Sequence, residues 1–372
     1  MKLQILAGRK THLKYRMWDG AEWKNCGSEE AELLRYVSAY WNKAENLDEF
    51  SLELEGRRSK KGSSYRSIPV DRESVERWMF KVAELMGKQP RAIAKIALHI
   101  DRAIVDVGAL LDPPLPSFVA FVQACRHSLT HFDCSFDADG ASSQTLTDCL
   151  ASSDQLEYLR IPCLDDLCAN VLSGKSQLKK LVGEWVQDDY ADFFKGLSQL
   201  QQAKDAAVRD GKEAPTLFLE VSLMGDDPNF IAAVAGIEDL LMITKLEMYY
   251  LNLKLPREAF ESLWRRLPKL ELVVVGEFID EPDDMLLIAI FFRSFLQAYE
   301  RKKSDRRLDL QVIESKTELS AISEEEWAAL GAALEREPMI DNSAQLDQVE
   351  EGGVIMQFRS GNATVQFMNS YH

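Results

Sequence analysis

Cys125, His127, His131 and Cys134 crowd into ten residues, and thiolate with imidazole is the donor set that zinc prefers. The surrounding pattern points to something plainer. Apolar positions run through Leu129, Phe132, Cys134 and Phe136, which sends Cys134 inward between two rings and sets a core leucine between the histidines. Four side chains turned onto one metal would break that packing, so the segment reads as a buried thiol with surface histidines. Ala169 to Ser176, ANVLSGKS, ends in Gly174-Lys175-Ser176 and loosely matches a loop that cradles phosphates. Such a loop needs a strand before it and a helix after it, so that free N–H groups face the phosphate. Here a helical stretch comes first and a strand over Leu178 to Val186 follows, so Gly174 reads as a helix terminator. The aspartate pairs 165–166, 188–189, 226–227 and 283–284 fall at turns or helix starts, where a carboxylate satisfies free N–H groups. No nucleophile elbow, zinc-protease helix or dinucleotide glycine fingerprint occurs. The expectation is a non-enzymatic chain with no catalytic residue, no metal and no cofactor.

The elements that position these residues follow one phrase: an apolar residue, two others, then apolar positions alternating with polar ones. It appears as Leu47-Phe50-Leu52-Leu54 and Ile93-Ile96-Leu98-Ile100, then as Leu129-Phe132-Cys134-Phe136 and Leu156-Leu159-Ile161. It continues as Leu178-Leu181-Gly183-Trp185, Leu217-Leu219-Val221-Leu223 and Ile243-Leu246-Met248-Tyr250, and closes with Leu267-Leu270-Leu272-Val274 and Leu308-Leu310-Val312. Period-two alternation over so few residues predicts short strands with one buried face. Helical spacing lies between them, as over Glu30–Ala44, Val75–Met86, Phe118–Cys125, Phe230–Leu241, Glu258–Trp264 and Met285–Tyr299. Strand then helix, repeated, requires parallel strands. One polar face per strand means that the sheet is covered on one side only, the geometry of an α/β solenoid with helices on the convex side.

Residues 1–27 are expected to form an N-terminal β-hairpin cap, with strands 2–7 and 11–18 around Gly8-Arg9-Lys10. Residues 28–320 form the solenoid, and 321–372 a C-terminal helix and hairpin cap with strands flanking Ser360-Gly361-Asn362. The basic stretch Gly56–Ser67, Lys204–Ala214 and Glu335–Gly353 are expected loops.

The nine phrases, spaced from 22 to 46 residues, resemble the leucine-rich-repeat superfamily, and the uneven units resemble most the substrate-binding halves of F-box proteins. That resemblance implies recruitment of a target protein to a ubiquitin ligase, through an adaptor, with the open sheet face reading the target. No F-box precedes Leu47, and the chain begins with strands instead.

A net charge of -16 and a pI near 4.9 speak against general nucleic-acid binding and against an anionic membrane, and favour a basic protein partner. The longest apolar run is eight residues, and the amino terminus has no secretory pattern, so a cytoplasmic or nuclear location is expected, with the six cysteines as free thiols. If the apolar phrase residues point to the helices, the residues between them line the concave face. Of the twenty-six positions so placed, ten are acidic and only Arg160 is basic. Asp133, Glu184, Glu220, Glu247 and Glu271 would form a negative ladder across stacked strands, with Phe218, Tyr249, Leu251 and Val273 beside it as apolar anchors.

Overall fold

The computed structural model describes residues 10–17, 49–56, 58–61, 64–67, 84, 95–100, 116–133, 147–163, 168–186, 190–223, 230–252, 257–279, 308–314, 323–333, 339–340, 354–360 and 363–369, with side chains chiefly between 120 and 275. The fold is α/β with parallel strands. It divides into two compact units, Met1–Val182 with Ala206–Ala214 and Gly183–Asp205 with Pro215–His372.

In the first unit, strands β1 (Lys10–Met17), β2 (Glu49–Gly56), β5 (Lys95–Ile100), β6 (Leu129–Asp133) and β7 (Tyr158–Cys163) lie in chain order, each parallel to the next. Strands β3 (Arg58–Lys61) and β4 (Ser64–Ser67) form a separate antiparallel pair. Helix α1 (Pro116–Cys125) begins on proline, whose missing N–H costs nothing in a first turn. Helix α2 (Cys168–Leu172) follows β7. Strand β8 (Lys180–Val186) crosses the unit boundary after Val182, and helix α3 (Tyr190–Arg209) crosses it after Asp205.

In the second unit, β9 (Leu217–Leu223), β10 (Ile243–Asn252), β11 (Leu272–Ile279) and β12 (Leu308–Glu314) are again sequential and parallel. Helix α4 (Phe230–Ala235) lies between β9 and β10, and α5 (Arg257–Arg265) between β10 and β11. After α6 (Glu324–Ala333) come β13 (Met339–Ile340), β14 (Val354–Ser360) and β15 (Ala363–Asn369). β15 extends the parallel row on β12, and β14 and β13 add to it antiparallel. Every one of the nine apolar phrases meets a strand.

A tight turn recurs ahead of the strands. Backbone N–H groups of Leu156, Leu178, Ile243 and Leu270 donate to the carbonyls of Ser153, Lys175, Leu240 and Leu267. Both members of each pair are buried, at 5 % exposure or less. Three residues on from the second member comes the first inward strand residue: Leu159, Leu181, Leu246 and Val273, all buried. After three of the four turns the next residue ties to its counterpart near the start of the preceding strand, Glu157 N–H to Thr130 O at 2.8 Å, Lys179 N–H to Glu157 O at 2.7 Å and Glu271 N–H to Thr244 O at 2.8 Å. Cations close the helices in a related way. The Lys175 ammonium donates to Ala151 O, at the end of a helical turn over 147–151, and the Arg266 guanidinium donates to Ala235 O at the end of α4.

The structure departs from several expectations. β1 pairs parallel with β2, and the expected hairpin partner at 2–7 lies outside the described residues. Gly56–Ser67 is not simply a loop: it contains β3 and β4, which pair antiparallel from Arg58–Ser67 to Lys61–Ser64. Lys204 belongs to α3, a 20-residue helix whose inner stripe is Tyr190, Phe193, Phe194, Leu197, Leu200, Gln201, Lys204 and Ala207. Two polar members in that stripe hid its helical period. The expected helix over Phe230–Leu241 stops at Ala235. The segments 30–44 and 285–299 lie outside the described residues.

Candidate functional site

Backbone register sets residues that share one face of the strands in rows. In the first unit one row reads Lys14, Glu53, His99, Asp133, Arg160. Asp133 thus stands between a histidine and an arginine. Lys10 and Lys95 flank Glu49, and Arg16 pairs with Glu55. Residues of opposite charge thus alternate along these rows on neighbouring strands. The sequence count missed the cations because they stand at strand starts and on β1, outside the central positions of each phrase. His131 and Tyr158 occupy the row before and stack at 5.9 Å between centroids, 14° from parallel. Lys180 Nζ lies 5.8 Å from the Tyr158 centroid.

In the second unit one row reads Glu220, Glu247, Val274, Gln311, Gln366, Gln357. Two acids are therefore direct neighbours, both half-buried. Phe218, Lys245 and Leu272 stand in the row before, and Ser222, Tyr249 and Gly276 in the row after. Leu251 pairs with Phe278 one row further, and Glu184 lies on β8 at the second unit's edge.

Two nominated residues are misplaced by the sequence reading. Val273 is fully buried, opposite Leu246, and not on the solvent side. Glu271 is exposed but precedes β11, opposite Thr244, and so stands outside the Glu220–Glu247 row. The cause is the doubled leucine: Leu267 passes for the leading residue of the phrase, whereas Leu270 holds that place. β11 is apolar on both faces through Leu272–Val275, so alternation cannot correct the slip.

The residues that looked reactive are mostly sealed. The Cys125 thiol donates to Val122 O at 3.4 Å, and burial pushes it up to about 12, which makes it a poor nucleophile. Burial raises the Cys149 thiol as well. His127 is exposed while Cys125 is buried, and Cys134 lies outside the described residues. Among the described residues no group of three or more histidine, cysteine or acidic side chains is placed to hold a metal ion. Gly174 adopts φ +79° after α2, the left-handed conformation that ends a helix. Lys175, beside it, occupies the core position that Leu240 and Leu267 take in other repeats, and burial lowers its ammonium to about 8. Lys204 is likewise buried and lowered to about 8, with Nζ donating to Pro215 O at 2.7 Å. Among the described residues no helix is long and apolar enough to cross a membrane.

Charge divides sharply by unit. The first holds 27 Lys and Arg against 27 Asp and Glu, the second 17 against 33, so the whole net charge of -16 belongs to the second. A scan against protein-family models found no match, and a search of curated proteins found none either.

Proposed function

We propose that the chain is a leucine-rich-repeat-like solenoid that acts without catalysis, binding a basic segment of another protein on the solvent-side face of its second unit. One observation carries the reading: Glu220 and Glu247 are side by side on adjacent strands, in a row that continues through Val274, Gln311, Gln366 and Gln357. Adjacent carboxylates of this kind are complementary to the cations of a basic segment. Phe218 and Tyr249 stand in the rows to either side, and aromatic residues beside charge are the mixture that concentrates binding energy in protein interfaces. The unit's charge excess would draw a basic partner in and speed association. Turn pairs that repeat ahead of β7, β8, β10 and β11 support the solenoid reading.

The test is affinity capture from lysate with the wild-type chain and with Glu220→Lys/Glu247→Lys, at low and high salt. The reading expects a set of basic proteins that both the charge reversal and high salt release. Glu271→Lys, outside the row, should leave capture unchanged. Equal capture by the charge-reversed and wild-type chains, both folded, overturns it. A ubiquitin-ligase adaptor retained by all variants would instead support the receptor role that the F-box resemblance implies.

A further inference from the structure

We propose that the first unit binds single-stranded nucleic acid on the face that carries His131 and Tyr158. Two separate features of that unit point the same way, one toward bases and one toward phosphates.

The first is a stacking column. His131 lies on Tyr158, Lys180 covers the next position in line, and all three side chains are half-buried on the side opposite Phe132, Leu159 and Leu181. Thr130 Oγ1, 3.0 Å from His131 Nδ1, fixes the plane of the imidazole. Beyond His131 the register places Ala97 and then Ser51, two small residues, before His12. A planar ring set above Ala97 would continue the column at the spacing of one strand. Bases stack on histidine and tyrosine in this manner on open sheet faces, and only unpaired strands offer their base faces. Arg160, two residues beyond Tyr158 on the same side, adds a phosphate donor.

The second feature is the β3–β4 hairpin, which starts one residue after β2. It carries Arg58, Lys60, Lys61 and Arg66, with Arg57 just before it, and no acid occurs between Glu55 and Asp71. Alternation puts Arg58 and Lys60 on one face of the ribbon and Lys61 and Arg66 on the other. Ser59, Ser64, Tyr65 and Ser67 add hydroxyls, so the ribbon is rich in the groups that hold phosphate oxygens. The chain's overall negative charge does not oppose this, because the first unit is neutral.

Fluorescence anisotropy tests the proposal on the full chain, with labelled RNA and DNA single strands of roughly 12 nucleotides at about 50 mM salt, a duplex of the same length and a polyglutamate peptide as comparisons. Single strands should bind best, with affinity falling as salt rises. His131→Ala/Tyr158→Ala should weaken binding about tenfold and leave the salt slope unchanged. Lys60→Glu/Lys61→Glu should lower both the affinity and the slope. The hairpin pair stands outside the parallel sheet, so it decides the matter if the aromatic variant fails to fold. No binding of either single strand overturns the proposal. Equal binding of duplex or polyglutamate also overturns it, and would mark the hairpin as a docking arm for acidic proteins.

Discussion

Lys175 shows what a single side chain can hide. Its sequence context suggests a phosphate loop, and the reversed order of helix and strand already argues against that reading. Gly174 as a helix terminator was legible, since glycine is the residue that takes a positive φ without strain. The destination of the ammonium, a helix-end carbonyl 24 residues earlier, was not, because no local pattern encodes a tertiary partner. Burial holds Lys175 and Lys204 near 8 rather than 10.5, so the unfolded chain binds more protons than the folded one between about pH 8 and 10.5. Stability should therefore rise with pH across that window and be level below it. Urea midpoints at several pH values measure this, and a Lys175→Met/Lys204→Met chain should show a flatter profile. Gly211 ends α3 at φ +73°, with its own N–H on Val208 O and that of Lys212 on Ala207 O. No heavy atom stands within 4 Å of an added Cβ there, so Gly211→Ala should cost about 1 kcal/mol from backbone conformation alone. A thermal melt that shows no loss would refute that account.

Strands were the most legible elements, since burial of one face prints a period of two on the sequence. All nine were found, and both strands of the carboxy-terminal hairpin with them. Register was legible only where one face is polar. On β9, Glu220 between Leu219 and Val221 leaves no choice, whereas on β11 four apolar residues in a row leave two. The corrected register predicts an asymmetry between neighbours. Val273→Asp should cost several kcal/mol by burying an unpaired charge, while Leu272→Lys, on the half-buried side, should cost less than about 1 kcal/mol. Chemical denaturation of the two variants separates these outcomes, and equal losses would return β11 to the other register. Helix α3 was missed because its buried stripe includes Gln201. That amide accepts the Met242 N–H at 2.8 Å, just before β10, and donates to Asp205 at 2.8 Å. Gln201→Ala leaves the Met242 N–H buried without its acceptor and should destabilise the chain by about 1–3 kcal/mol. Edge-to-face rings, Tyr190 and Phe194 on Phe230, fasten the same helix to α4.

At the scale of the whole molecule, composition misled by averaging. A net charge of -16 is not shared between the units: one is neutral with a basic ribbon, the other holds the entire excess. Acids dominate between the apolar positions of the nine phrases taken together, yet in the first unit residues of opposite charge alternate along the rows. Raising salt from about 50 to 500 mM should weaken capture of the basic partner proposed for the second unit at least tenfold, because exposed charges are screened within a few ångströms at the higher value. The thermal midpoint should move little, since the buried turns and their backbone bonds do not depend on surface charge. Those turns also separate what is fixed in this architecture from what can drift. Consecutive strands are stitched where Glu157 meets Thr130, Lys179 meets Glu157 and Glu271 meets Thr244, and the stitch does not depend on how much chain loops out before the next one. From Leu156 to Leu178 is 22 residues, from Ile243 to Leu270 is 27, and the turn is the same. Lengthening the chain between two such turns therefore leaves the stitch unchanged. One residue added between Leu270 and Val273 would exchange the two faces of an entire strand. The repeats can diverge in length without limit from the seam, but not by a single step across it.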